Sequence, residues 1–243
     1  MNQRITSTQN PKIKQLRKIF NDKNSEFFIV EGYHLVEEVL RENLVIELYE
    51  LDSKTAKYDN SIIVSDNVLK AITKTKTPEG VVALCRKKSN ASELGNRVVF
   101  LDNVQDPGNV GTIIRVAKSF NFDTVVSNVN FYNDKIVRSS QGALFTVNLV
   151  NYTYDNLHSV LKKYKQNGFK IYCTSLSKNS VPINKISFEN EKILIVFGNE
   201  GSGASETSIK IADKLVYVPI DFESLNVAVC AGIVLYEANK KAK

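Results

Sequence analysis

From Arg97 onward the chain repeats one pattern: a short apolar run fit for a buried strand, then a segment with helical apolar spacing. The runs Val98–Leu101, Thr124–Val126, Ile171–Thr174, Ile193–Phe197 and Leu215–Val218 read as strands. Val110–Phe120, Tyr154–Gln166, Glu206–Ile211 and Val227–Asn239 read as helices. Strands that are apolar on both faces and alternate with helices belong to a parallel sheet covered on both sides. An open sheet of that kind places its ligands just beyond the C-terminal ends of its strands.

The first third predicts a smaller α/β domain. A helix over Pro11–Phe20 has Asn10 as its cap and Pro11 in its first position. Strands follow at Glu26–Val30, Val45–Leu51, Ile62–Val64 and Val81–Leu84, with helices at His34–Arg41 and near Val68–Ile72. Between Arg86 and Asn96 the sequence turns polar and nearly loses its apolar residues, the signature of a linker. The expected division is therefore residues 1–88, a linker at 89–96, and residues 97–243.

The net charge of +6 favours a polyanionic partner, and its distribution points to where that partner binds. Arg4, Lys12, Lys14, Arg17, Lys18 and Lys23 stand against Asp22 alone. Lys12, Lys14, Arg17 and Lys18 are the candidate nucleic-acid contacts, with a solvated helix face as the alternative. Cys85, Cys173 and Cys230 are isolated in apolar runs, and the histidines are His34 and His158. That pattern excludes zinc-finger spacing and a disulfide framework, so no metal is expected. The N-terminus is polar and basic without a signal peptide, and no apolar run approaches the ~20 residues of a membrane span. A cytoplasmic protein is expected.

Three segments break the regular pattern, each just past a strand. The first, Leu101-Asp102-Asn103-Val104-Gln105-Asp106-Pro107-Gly108-Asn109-Val110-Gly111, leads into a helix carrying Arg115. A helix start of this kind favours anions, and Arg115 sits about one turn beyond the glycine loop. The second, Phe197-Gly198-Asn199-Glu200-Gly201-Ser202-Gly203, has three glycines in six positions, which lets backbone pass close to a ligand. It is neither GxGxxG nor a phosphate-cradling GK[ST] loop, so neither a dinucleotide nor a nucleoside triphosphate is indicated. In the third, Val218 to Gly232, a polar Ser224-Leu225-Asn226 precedes a helix of small residues. Asn226 or Ser224 suits an N-cap, and Ala228, Ala231 and Gly232 allow close packing on the sheet or on a partner chain.

These three segments, in this order, resemble the motifs of the SpoU–TrmH group of SPOUT methyltransferases. The resemblance rests on Asn109-Val110-Gly111 running to Arg115, on Phe197-Gly198-Asn199-Glu200-Gly201, and on Ser224-Leu225-Asn226-Val227. Lys135-Ile136-Val137-Arg138-Ser139-Ser140-Gln141-Gly142 is similar as well, and Ile5–Leu84 resembles a ribosomal-protein-like RNA-binding domain. The resemblance implies a deep trefoil knot in the parallel-sheet domain, a homodimer, and S-adenosylmethionine as methyl donor. It places the donor at Thr174, Ser175, Leu176, Phe197, Gly198, Asn199, Gly201, Val218, Ile220, Leu225 and Asn226. The Ile220-Asp221-Phe222-Glu223 stretch is shorter and more acidic than in many members.

The implied activity is methylation of a ribose 2′-hydroxyl in RNA, with 23S ribosomal RNA favoured by the front domain. A tRNA enzyme and a catalytically inactive RNA-binding relative are the alternatives. A ribose hydroxyl is protonated at neutral pH, so the chemistry turns on orienting it and accepting its proton. Arg115 is the candidate clamp on substrate phosphate, because a guanidinium does not itself act as a base. Asn109, Glu200, Ser224 and Asn226 complete the expected catalytic set, and Arg138 is expected on RNA backbone.

Overall fold

The computed structural model describes residues 3–22, 24–88, 94–188, 191–221 and 223–240. Lys23, Phe222 and most of the expected linker lie outside the described residues. The chain divides into two compact units, Met1–Ser89 with Tyr132–Phe145, and Asn90–Phe131 with Thr146–Lys243.

The first unit is built on a mixed five-stranded sheet of order β1-β4-β3-β5-β2. Its strands are β1 (Arg4–Ile5), β2 (Phe27–Glu31), β3 (Val45–Leu51), β4 (Ile62–Val64) and β5 (Val81–Arg86). Helices α1 (Pro11–Asn21), α2 (Tyr33–Arg41) and α3 (Asp66–Ala71) accompany them. Asn10 caps α1 as expected, its side chain accepting from the Lys12 amide at 3.0 Å. Ile13 and Leu16 of α1 are buried with Tyr49, Val64, Val68 and Val82 in one core. The buried Glu50 carboxylate accepts the amides of Lys57 and Tyr58 at 2.9 and 3.1 Å, which offsets the cost of burying its charge. Strand β1 was not expected, since two residues give no readable period.

The second unit carries a seven-stranded sheet of order β10-β12-β9-β11-β6-β7-β8, and every pairing in it is parallel. Strand β6 (Arg97–Asp102) leads to α4 (Pro107–Ser119) and β7 (Thr124–Ser127). After α5 (Asp134–Ser139) come β8 (Asn148–Asn151), α6 (Leu157–Gln166), β9 (Lys170–Thr174) and β10 (Val181–Pro182). Strand β11 (Ile193–Gly198), α7 (Glu206–Ile211), β12 (Lys214–Tyr217) and α8 (Val227–Lys240) complete it. Strand β11 pairs with β6 and β9 on its two sides and is buried along its whole length. The expected fold class, a parallel-sheet α/β domain preceded by a small α/β domain, is what the chain adopts.

One feature differs from the expected division of the chain. The segment Tyr132–Phe145, which includes α5, belongs to the first unit although it lies between β7 and β8 in sequence. Phe28 packs on the rings of Tyr132 and Phe145 at centroid distances of 4.7 and 5.7 Å. Lys74 pairs with Asp134 at 3.2 Å, and the Lys88 amide donates to the Tyr132 hydroxyl at 3.0 Å. In α8, Ala228 and Ala231 are buried within the second unit, where the helix packs on α4 and β11. The large apolar side chains that α8 exposes are Val229, Ile233 and Tyr236, spaced to fall on one helix face.

Candidate active site

Strand β11 ends at Gly198, which the backbone of the following loop crowds closely. A β-carbon there would stand 2.1 Å from the Ala204 nitrogen and 2.2 Å from the Gly203 carbonyl carbon. The loop folds back on itself, Asn199 and Gly203 exchanging both backbone hydrogen bonds at 2.9 Å. Asn199 fixes the turn from inside. Its side-chain oxygen accepts the amides of Gly201 and Ser202 at 2.9 and 3.1 Å, and its side-chain nitrogen donates to the Asn103 carbonyl at 2.9 Å. The far end is tied to β6, because the buried Asp102 carboxylate accepts the Ser205 amide at 2.7 Å.

The other two segments join this loop through side chains. Asn226 caps α8, its oxygen accepting the Ala228 amide at 2.9 Å. Its nitrogen donates to Asn109 Oδ1 at 3.0 Å, and Asn109 Nδ2 donates to Glu200 Oε1 at 3.0 Å. Asn109 stands in the first turn of α4, where the Asp106 carboxylate accepts its backbone amide at 2.9 Å. One relay, Asn226–Asn109–Glu200, therefore links all three sequence motifs.

The loop, the ends of β9 and β12, and the start of α8 enclose a cavity of about 440 Å³. Thr174, Ser175, Leu176, Gly198, Asn199, Gly201, Val218, Ile220 and Leu225 line it, together with Glu200 and Ser224. Of the residues named as donor contacts, Phe197 is fully buried in β11 and Asn226 is engaged as the α8 cap, and neither lines the cavity. Sequence reasoning missed Ser202, Gly203, Ala204, Ile209, Val216, Tyr217, Val227 and Cys230. The rule that ligands sit at C-terminal strand ends points to Val216 and Tyr217, and Cys230 lies one turn beyond Asn226. Ile209 carries no local signal.

Electrostatically, the described lining residues include no lysine or arginine, and Glu200 is the one carboxylate among them. Burial pushes the Cys230 thiol up to about 11, so that wall is neutral. A cavity of this size, part apolar, with a single negative group and close-packed glycine backbone, fits a small cationic ligand such as a sulfonium better than an anion.

The expected basic residues lie elsewhere. Residues 108–111 are helical, so Arg115 stands two turns into α4, roughly 12 Å along the axis from Pro107 rather than one turn past a loop. It is exposed and lines no part of the cavity. Arg138 belongs to the first unit and pairs with Asp134 at 3.0 Å. Lys14, Arg17 and Lys18 are exposed on one face of α1, whereas Lys12 is tied to Glu47 by an ion pair. Among the described residues no group of histidine, cysteine and carboxylate side chains is placed to hold a metal ion, and no helix is long and apolar enough to cross a membrane.

Known proteins share both parts of this arrangement. Residues 96–236 match the SpoU rRNA Methylase family, and residues 10–83 match the MRM3-like substrate binding domain. The chain is 34% identical to the 23S rRNA (guanosine(2553)-2′-O)-methyltransferase RlmP of Bacillus subtilis, over 96% of this chain and 97% of that protein. It is 32% identical to the tRNA (guanosine(18)-2′-O)-methyltransferase of Aquifex aeolicus, over 59% of this chain and 69% of that one. The crystal structure of an AdoMet-bound rRNA methyltransferase from Sinorhizobium meliloti superimposes with a TM-score of 0.83 at 26% identity, covering 98% of this chain and 97% of that one. The protein is a member of the SpoU family of RNA 2′-O-ribose methyltransferases, which use S-adenosylmethionine.

Proposed function

We propose that the protein methylates a ribose 2′-hydroxyl in large-subunit ribosomal RNA, with its donor held in the cavity at the end of β11. The observation that carries this is the Asn226–Asn109–Glu200 relay, which joins three distant segments at a cavity whose described lining holds no cationic side chain. Bound S-adenosylmethionine supplies a methyl group already electrophilic on its sulfonium. What the chain must supply is position. Gly198, Asn199 and Gly201 hold the donor against backbone, while Thr174, Ser175, Leu176, Val218, Ile220 and Leu225 form its walls. Asn109, Glu200, Ser224 and Asn226 hold the loop geometry and orient the ribose.

Arg115 clamps the phosphate beside the reacting hydroxyl, so that the phosphate or a water accepts the proton as the methyl is transferred. Positioning then supplies much of the rate. Because Arg115 lies outside the cavity, the site is completed in a homodimer, through the Val229, Ile233 and Tyr236 face of α8. The family's trefoil knot around residues 198–226, a cytoplasmic location, and RNA contact by Lys14, Arg17, Lys18 and Arg138 belong to the same reading. The whole-length likeness to the ribosomal RNA enzyme, front domain included, favours ribosomal RNA over tRNA.

The test is single-turnover methylation of ribosomal RNA at saturating donor, with chelator present, followed by mapping of 2′-O-methyl groups. Arg115→Ala should abolish transfer and leave donor affinity intact, and Arg115→Lys should rescue little, since a point charge does not reproduce a bidentate clamp. Near-normal turnover in Arg115→Ala would sink the clamp. Methylation of tRNA instead of ribosomal RNA would move the substrate, and a strict divalent-ion requirement would overturn the site as described.

A further inference from the structure

A second hollow, of about 250 Å³, opens in the first unit between α1 and the end of its sheet. Phe27, Ile46 and Leu84 give it an apolar lining, and Lys12, Gln15, Glu47, Tyr49 and Arg86 its polar groups. Ile46 is 45% exposed because the register of β3 shifts between Val45 and Glu47, and such an irregularity turns a side chain outward. The Arg86 guanidinium lies 5.8 Å from the centroid of the Phe27 ring. Glu47 is held in place, accepting from both Lys12 Nζ and the Tyr49 hydroxyl, which line the hollow with it. Burial raises the Glu47 carboxyl, but the hydrogen bonds from Lys12 and Tyr49 and the Lys12 charge outweigh it and bring it below its ordinary value, so it is an ionised acceptor at neutral pH.

We infer that this hollow receives one unstacked nucleobase of the RNA substrate, an inference that rests on the RNA-methyltransferase reading above. The volume suits one base and excludes a helix or a folded segment. Sequence-selective RNA recognition works by splaying single-stranded bases onto aromatic rings and guanidinium planes and reading their edges with polar side chains. Phe27 with Arg86 offers the stacking surfaces, and Gln15 and Glu47 offer edge partners. The exposed Lys14, Arg17 and Lys18 of α1 supply the charge that tracks the adjoining backbone. Lys12 then serves the base pocket through Glu47 and contacts no phosphate, which explains why it alone of the four is paired within the unit.

The test compares binding of the full chain to an RNA hairpin with an unpaired loop and to a fully paired duplex of the same length. Ile46→Glu places a carboxylate in the apolar lining at a half-exposed position, and thermal unfolding checks that the fold survives. It should weaken hairpin binding by about tenfold or more, the scale of losing one stacked base, and leave duplex binding and S-adenosylmethionine affinity unchanged. Gln15→Ala, on an exposed helix position, should weaken hairpin binding less but in the same direction. If both variants bind the hairpin as the native chain does, the hollow is no base pocket. That holds equally if Ile46→Glu instead changes the sedimentation of the chain, which would mark a contact between copies. If the native chain binds neither RNA, the RNA-enzyme reading falls along with it.

Discussion

Gly198 has no room for a β-carbon, and its neighbour in the same turn shows how specific that demand is. An added methyl at Gly198 collides with backbone at 2.1 Å, so the loop or the strand end has to move. Overpacking of that kind costs about 1–3 kcal/mol, and here it also displaces the wall of the proposed donor cavity. Gly203 differs in kind. Its φ is +72° and nothing lies within 4 Å of an added β-carbon, so an alanine there meets only the strain of the left-handed region, about 1–2 kcal/mol. Gly198→Ala should therefore abolish S-adenosylmethionine binding in calorimetry, while Gly203→Ala should lower the melting temperature and keep measurable binding. Equal binding by both variants would show that the crowding at Gly198 is relieved without cost to the cavity.

At the scale of elements, α1 and α8 each carry a face that the unit does not use. Lys14, Arg17 and Lys18 are free on α1, so replacing all three by alanine should lower the salt dependence of RNA binding by up to about three, roughly one per phosphate contact. Lys12→Ala should change that slope little, since Glu47 already neutralises the charge. An unaltered slope in the triple variant would make this face merely solvated. On α8, Val229, Ile233 and Tyr236 are 53%, 37% and 48% exposed, an apolar stripe of the kind that marks association. The proposed homodimer should sediment as such at micromolar concentration, and Ile233→Asp should turn it into a monomer without lowering the melting temperature of the unit itself.

What the sequence disclosed of these elements follows from burial. Strands β6 and β11 are buried on both faces, so Val98–Leu101 and Ile193–Phe197 are unbroken apolar runs that admit one reading. Strand β8 sits at the sheet edge as Asn-Leu-Val-Asn and gives no such run. The cavity was legible as three loops at strand ends, but the pairing of Asn226 with Asn109 spans 117 residues and no spacing rule reveals it. The resemblance to a family supplied that grouping. Lys12 misled for the same reason: its partner Glu47 is 35 residues away, and a charge count along α1 takes no account of it.

Taken as one molecule, the chain should lose stability on the alkaline side. Burial pushes the Cys173 thiol up to about 12 and the Cys85 thiol higher still, from an ordinary value of 9.0. Above pH 9 the unfolded chain loses these protons first, so it binds fewer protons than the folded one and stability falls as pH rises. The slope reaches up to about 1.4 kcal/mol per pH unit for each thiol, until the folded thiol titrates near 12. Urea midpoints measured from pH 8.5 to 10.5 should decline, and Cys173→Ala should make the decline shallower. A flat profile would mean these thiols ionise in the folded chain.

The placement of Tyr132–Phe145 has a consequence for how the molecule comes apart. The backbone passes between its two compact units three times, after Ser89, after Phe131 and after Phe145. The middle passage is a tether sewn into the first unit by the rings of Tyr132 and Phe145 against Phe28. Cutting the chain near residue 90 therefore leaves residues 132–145 on a different polypeptide from the Phe28 they pack against. A piece that starts at Arg97 carries residues 132–145 without the Phe28 ring on which they pack.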